Sequence, residues 1–263
     1  QALVQANAAE QQWRQLGAAA PGSPETRNEE EVLATIFTWW DLLDRIMLKY
    51  EPGSRYLAGY IREAQLRRMI QLVREPHVKH YCEIGMNGGH SVVAMMLASP
   101  TLTVDTFDLM RWNYSQPVKE LLRARFYPRF ELHEGYSWDT LPVWKQKKRQ
   151  CDFLLVDGGH SAGAARKDLQ SLREVAAPQA KLVVDDCDLL DVHDAWRAAV
   201  DALWRPDAPS PCGDFAELTS AFHEGLGRHD RVTLVFDALN ELESSNGARS
   251  LGWLPEKPER SAS

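Results

Sequence analysis

The chain has 263 residues, a formal net charge of −7 and 44% hydrophobic residues. That length suits one α/β domain with appendages or two small domains, and the apolar content supports a substantial buried core. The acidic balance argues against broad nucleic-acid binding, and no apolar run reaches the ~20 residues that cross a bilayer. A small-molecule substrate is therefore the expected partner, with neither nucleic acid nor membrane. Four cysteines, Cys82, Cys151, Cys187 and Cys212, contain no C-x-x-C pair. They suggest neither a zinc site nor a disulfide framework, and a reducing, cytoplasmic location is the default. Gln1 rather than Met at the start leaves a removed leader open.

In chain order, an Ala/Gln-rich stretch up to Leu16 is cut off by Pro21, Gly22, Ser23 and Pro24, so 1–28 reads as a peripheral arm ending in disorder. From Glu29 to Tyr50, Val32, Leu33, Ile36, Phe37, Trp40, Leu43 and Met47 recur at three- and four-residue spacings, which predicts an amphipathic helix. Trp39 and Trp40 serve either the core or an interface, or roof a substrate pocket. A second helix from about Leu57 to Arg74 ends before Pro76, giving a helical cap over 29–76. Apolar helices of this kind suit a homodimer. Val78 to Ile84 then has strand character. Gly85, Gly88 and Gly89 form a turn, and Ser91 to Ala98 is free of breakers. Strand, glycine turn and helix together open a βαβ nucleotide-binding unit.

Further strands are expected at Leu102–Leu109, Phe130–Glu134, Phe153–Asp157 and Lys181–Asp186. Helices are expected near Pro117–Arg125, Ala162–Val175 and Val192–Leu203. The basic run Lys145, Lys147, Lys148 and Arg149 reads as a solvated loop. After Trp204 come a Pro/Asp-rich loop, a helix and two late strands, 231–237 and 248–254, that suit a closing hairpin, before a disordered tail at 255–263. The fold class is α/β: a doubly wound, mostly parallel, seven-stranded Rossmann-like sheet over 77–254, with an N-terminal helical extension and an antiparallel edge hairpin.

In such a sheet the ligand sits beyond the carboxyl ends of the strands. Polar residues gather there: Glu83 and the glycine turn, Asp105 and Asp108, Gly135-Tyr136-Ser137, Asp157-Gly158-Gly159-His160, and Asp185-Asp186 followed by Asp188. One strand-end acid is often a helix cap; five consecutive strands with polar ends are harder to explain that way.

On these residues the chain resembles the class I S-adenosylmethionine-dependent methyltransferases, and among them the metal-assisted O-methyltransferases of the catechol and macrocin type, over about Val78 to Leu254. Glu83-x-Gly85-x-x-x-Gly89 matches the first motif, whose turn faces the methionine part of the donor; the resemblance thereby implies contacts from Glu83, Gly85, Asn87 and Gly89. Ser91 matches a serine near the donor carboxylate. Asp108 matches the acid that holds both ribose hydroxyls, since a carboxylate accepts two hydrogen bonds from a vicinal diol; Asp105 is its rival. Gly135-Tyr136-Ser137 resembles the segment bordering the adenine, with Tyr136 in place of a common acid, either stacking on the ring or packing.

Asp157, Asp185 and Asp186 resemble the group's metal site, and hard oxygen donors suit Mg²⁺, with Ca²⁺ or Mn²⁺ as alternatives. His160 stands where the catechol type has a lysine base, and an imidazole accepts a hydroxyl proton near neutrality. Its other readings are a helix cap or a group that orders a metal ligand; His193 is a weaker candidate. The resemblance implies metal-assisted O-methylation of a small-molecule hydroxyl, with Asp157 and His160 nearest the chemistry. A hydroxylase-like enzyme on the same scaffold, consuming O₂, and a non-catalytic ligand-binding protein are the alternatives. A nicotinamide fingerprint would need glycine at 87 and 90, where Asn87 and His90 stand.

Overall fold

The computed structural model describes residues 28–53, 61–186, 191–192, 194–195 and 234–236. Three glutamates in a first turn, behind an asparagine, favour a helix start: the Asn28 side chain accepts from the Glu31 amide at 2.8 Å, and α1 runs Glu29–Tyr50. Its apolar face buries Val32, Leu33, Ile36, Trp39, Trp40, Leu43 and Met47. Helix α2, Glu63–Val73, buries Leu66, Met69, Ile70, Leu72 and Val73. Arg67 ties the two helices together, reaching Glu29 and Glu30 of α1 and Glu63 of its own helix.

The sheet holds six strands among the described residues, all parallel, in the order β3-β2-β1-β4-β5-β6. They are β1 (His80–Ile84), β2 (Thr103–Asp108), β3 (Phe130–Glu134), β4 (Cys151–Val156), β5 (Ala176–Val184) and β6 (Leu234–Phe236). The crossovers contain α3 (His90–Ala98), α4 (Ser115–Phe126), α5 (Ser137–Lys145) and α6 (Ala162–Arg173). The two-residue period of a strand sorts side chains into two cores. Tyr81 joins Val92, Val118, Phe153 and the α1–α2 residues on one face. Cys82, Ile84 and Phe107 join Leu141, Trp144, Leu169 and Leu172 on the other. Strand order reverses between β1 and β4, so the crevice beyond their carboxyl ends is where a ligand is expected.

Two expectations need correction. Among the described residues six strands stand where seven were expected, and the late strand β6 pairs with β5 in parallel, Val183 opposite Val235. The other half of the expected hairpin, 248–254, lies outside the described residues, as do the arm at 1–27, the tail and His193. Cys82 and Cys151 form a disulfide across the neighbouring strands β1 and β4, with Cα atoms 5.8 Å apart at a sequence separation of 69. Their proximity is created by the crossover connections, so no local spacing announces it. Among the described residues no helix is long and apolar enough to cross a membrane.

Candidate active site at the carboxyl ends of the strands

The glycine turn is locked to both neighbouring strands. Gly85 has φ +96°, and a Cβ there would lie 1.7 Å from the Asp157 carbonyl oxygen. Only glycine lets β1 end this close to β4. The Gly85 amide donates to Phe107 O at 2.9 Å and the Asp157 amide to Ile84 O at 2.9 Å, so the ends of β2, β1 and β4 form one rim. Gly89, in the left-handed conformation, caps α3.

Asp108 stands on this rim. One carboxylate oxygen accepts the Asn87 amide at 3.0 Å and the other the Met110 amide at 2.6 Å, and each oxygen keeps a further lone pair. Asn87, at φ +46°, accepts a hydrogen bond from the Tyr114 hydroxyl through its side-chain oxygen. Asp105, the rival, is nearly fully buried in the middle of β2 on the Trp144 face. His80 and His133 each contact one of its oxygens at 2.6 Å. Burial pushes its carboxyl up, but the His133 and His80 bonds outweigh that and hold it well below the usual range. It faces away from the rim that Asp108 occupies.

Glu83 and Ser91 are brought together below the turn rather than exposed in it. Glu83 is fully buried and accepts from the Tyr81 hydroxyl at 2.6 Å and the Ser91 hydroxyl at 2.7 Å. Burial raises its pKa to about 7 against the pull of those two bonds. On the far side of β2, the Tyr136 ring stacks on Trp138 at 4.5 Å, and Lys167 lies over Trp138 at 4.4 Å. One face of Tyr136 is thus taken by Trp138. Ser137 is buried at the start of α5, its hydroxyl donating to Asp168.

Beyond β4 and β5, single donor atoms of Asp157, His160 and Asp186 all lie within 4.8 Å of one another. His160 Nε2 is 2.7 Å from Asp186 Oδ2. Asp185 does not join that trio; its Oδ1 accepts the Asp186 amide at 2.9 Å, and Asp186 has φ +55°. Two carboxylates and an imidazole converging at this spacing fit a divalent cation, with His160 standing where a third aspartate was expected.

Sequence reasoning missed two contributors, Asp168 and Asp44, and left the role of Trp40 open. Asp168, in the middle of α6, is buried and accepts from Ser137, and the Gly159 amide favours its ionised form; burial nonetheless pushes its carboxyl up. Trp40 of α1 donates to His90 O at 2.9 Å, and Asp44 lies 3.1 Å from His90 Nε2. These contacts fasten the N-terminal cap over the start of α3. Trp39 packs against Phe126 with ring centroids 5.8 Å apart, as a core residue. Local spacing announces neither Asp168 nor Asp44, because both act across elements; the signal was a polar residue on an otherwise core-facing helix stripe.

Residues 82–187 match the family model described as a methyltransferase domain. No curated protein matches the chain. Among solved structures, a Klebsiella pneumoniae protein assigned as an O-methyltransferase is 19% identical, with a TM-score of 0.51, covering 76% of this chain and 87% of its own. A Staphylococcus aureus protein assigned as a caffeoyl-CoA O-methyltransferase is 17% identical, with a TM-score of 0.48 over 66% and 90%. The tomaymycin-synthesis O-methyltransferase TomG of Streptomyces achromogenes, solved with S-adenosylmethionine, is 19% identical, with a TM-score of 0.47 over 78% and 88%. At 19% identity the likeness to the Klebsiella pneumoniae protein is one of fold.

Proposed function

We propose that this chain, whose residues 82–187 match a model described as a methyltransferase domain, is a class I S-adenosylmethionine-dependent enzyme that transfers the donor methyl to a hydroxyl of a small molecule with the help of a divalent metal. The observation that carries this reading is the meeting, on one rim across the β1/β4 switch point, of the glycine turn and Asp108 with the trio Asp157, His160 and Asp186.

Asp108 would hold the ribose diol through the lone pairs its backbone bonds leave over, and the turn at Gly85, Asn87 and Gly89 would bring backbone amides to the methionine part. Glu83 and Ser91 would act from beneath, as a buried pair that fixes the turn. Tyr136 and Ser137 would border the adenine. Asp157 and Asp186 would hold the metal, with Asp185 ordering the Asp186 backbone. A divalent cation held there, Mg²⁺ by the hardness of the oxygen donors, would neutralise the carboxylates and would supply Lewis acidity to an acceptor hydroxyl.

His160 would serve as base. Its imidazole, paired through Nε2 with Asp186, would take the hydroxyl proton, and Asp186 would stabilise the imidazolium that results. The acceptor oxygen bonds to the methyl carbon as the carbon–sulfur bond breaks, and the protein's contribution is proximity, alignment and placement of charge. The test is His160→Ala. Donor binding is retained and methyl transfer falls by about 10²-fold or more; unimpaired transfer would remove His160 from the mechanism.

The mutual closeness of Asp157, His160 and Asp186 favours a second reading for His160, as a third metal donor. Metal titration of the same variant separates the two: a lost ligand weakens metal binding, whereas a lost base leaves it unchanged.

A further inference from the structure

A single buried carboxylate joins the two halves of this site. Asp168 lies in the middle of α6 and is 2% exposed. It accepts the Ser137 hydroxyl from the segment after β3, and its carboxylate lies against the Gly158-Gly159 backbone of the segment after β4, whose Gly159 amide favours the ionised form. There is no slack between it and the second segment, because a Cβ on Gly158 would come within 2.6 Å of Asp168 Oδ2. The residue before Asp168 grips the first segment again: Lys167 covers the Trp138 ring on which Tyr136 is stacked. Helix α6 itself begins directly after His160, with the Ser161 side chain accepting from the Ala164 amide at 3.3 Å. The same buried face is fixed to the core through Ala165, Leu169 and Leu172. One rigid helix therefore starts at the 157–160 segment and holds the 136–138 segment two turns later.

We propose that Asp168 is a positioning residue that couples the donor half of the site to the metal half, so that nucleotide and cation bind cooperatively through the Ser137–Asp168–Gly159 bridge. This rests on the methyltransferase reading above. The physical reason is shared ordering: a cation held at Asp157 and Asp186 fixes the 157–160 backbone, the bridge transmits that to Ser137, and the adenine side then has less left to order when the nucleotide binds. Linkage makes the effect reciprocal, the nucleotide tightening the metal by the same factor. A carboxylate that served only to fill the space between two helices would stabilise the fold without linking the two affinities.

The experiment titrates S-adenosylhomocysteine into the full chain with and without saturating Mg²⁺, in wild type, Asp168→Asn and Ser137→Ala, with thermal melting as a check on folding. In the wild type Mg²⁺ is expected to tighten the nucleotide about fivefold or more. In both variants that factor falls towards one; Asp168→Asn, which touches neither ligand, changes the metal-free nucleotide affinity by less than about threefold, whereas Ser137→Ala, at a residue bordering the adenine, is read through the factor alone. Ser137→Ala removes one bond of the bridge and leaves the buried carboxylate in place, so it decides the matter even where Asp168→Asn is too unstable to titrate. Failure of the wild type to bind the nucleotide at all would overturn the functional reading itself. Binding without metal enhancement in the wild type, or with enhancement intact in the variants, would overturn the coupling alone.

Discussion

Two groupings of histidine and carboxylate sit in this molecule, and they differ in what surrounds them. Asp105 and His133, with Glu131 nearby, have donor atoms within 4.8 Å of one another, as do Asp157, His160 and Asp186. The first set lies along the strands. Asp105 is buried between two imidazoles, Arg149 is 3.7 Å from it, and Lys147 lies 3.1 Å from Glu131, so protein cations and hydrogen bonds already answer its charge. The second set lies beyond the strand ends, where the His160 side chain is 54% and that of Asp186 36% exposed. Identical donor types thus read as architecture in one place and as a ligand site in the other, and depth along the strand decides which.

The largest effect that tests this contrast falls on the first set. Asp105→Ala leaves the inward-facing His80 and His133 without their acceptor and should cost about 3 kcal/mol of stability in urea unfolding, with S-adenosylhomocysteine affinity unchanged in the folded protein. A collapse of nucleotide affinity with stability intact would reverse the roles of the two clusters. His160→Ala should show the mirror image, losing turnover while its melting temperature stays near that of the wild type.

A smaller effect concerns Glu83, which belongs to neither cluster. Its folded pKa, raised by burial to about 7, exceeds the ordinary carboxylate value, so the folded state binds the proton more tightly than the unfolded state. Stability from this group is therefore complete below the ordinary carboxylate range and declines as pH rises through about 7. Unfolding of Glu83→Gln compared with wild type across pH 4–8 should show this decline, on the order of 2–3 kcal/mol, in the wild type and not in the variant. Parallel profiles would mean that the Tyr81 and Ser91 bonds keep Glu83 ionised.

The glycine turn and Asp108 were legible because their signals are local: a strand pattern, glycines at fixed offsets and an acid at a strand end. The choice between Asp105 and Asp108 was not local. Alternation along β2 puts Asp105 on the Trp144 face, but only the neighbours His80 and His133, supplied by β1 and β3, account for a buried carboxylate there. The Cys82–Cys151 bond was hidden for the same reason, being fixed by which strands become neighbours. Asp168 was the hardest to see. Its position on α6 reads as an ordinary polar helix residue until Ser137 and Gly159 are brought to it from two other loops. His160 was singled out by its offset from Asp157, yet its partner Asp186 comes from the next strand.

The most direct test of the central claim is calorimetric titration of the purified chain with S-adenosylmethionine, with and without Mg²⁺, and with NAD as control. The account predicts one nucleotide site that binds S-adenosylmethionine, binds it more tightly with Mg²⁺, and gives no heat with NAD. Absence of S-adenosylmethionine binding in both conditions would contradict it.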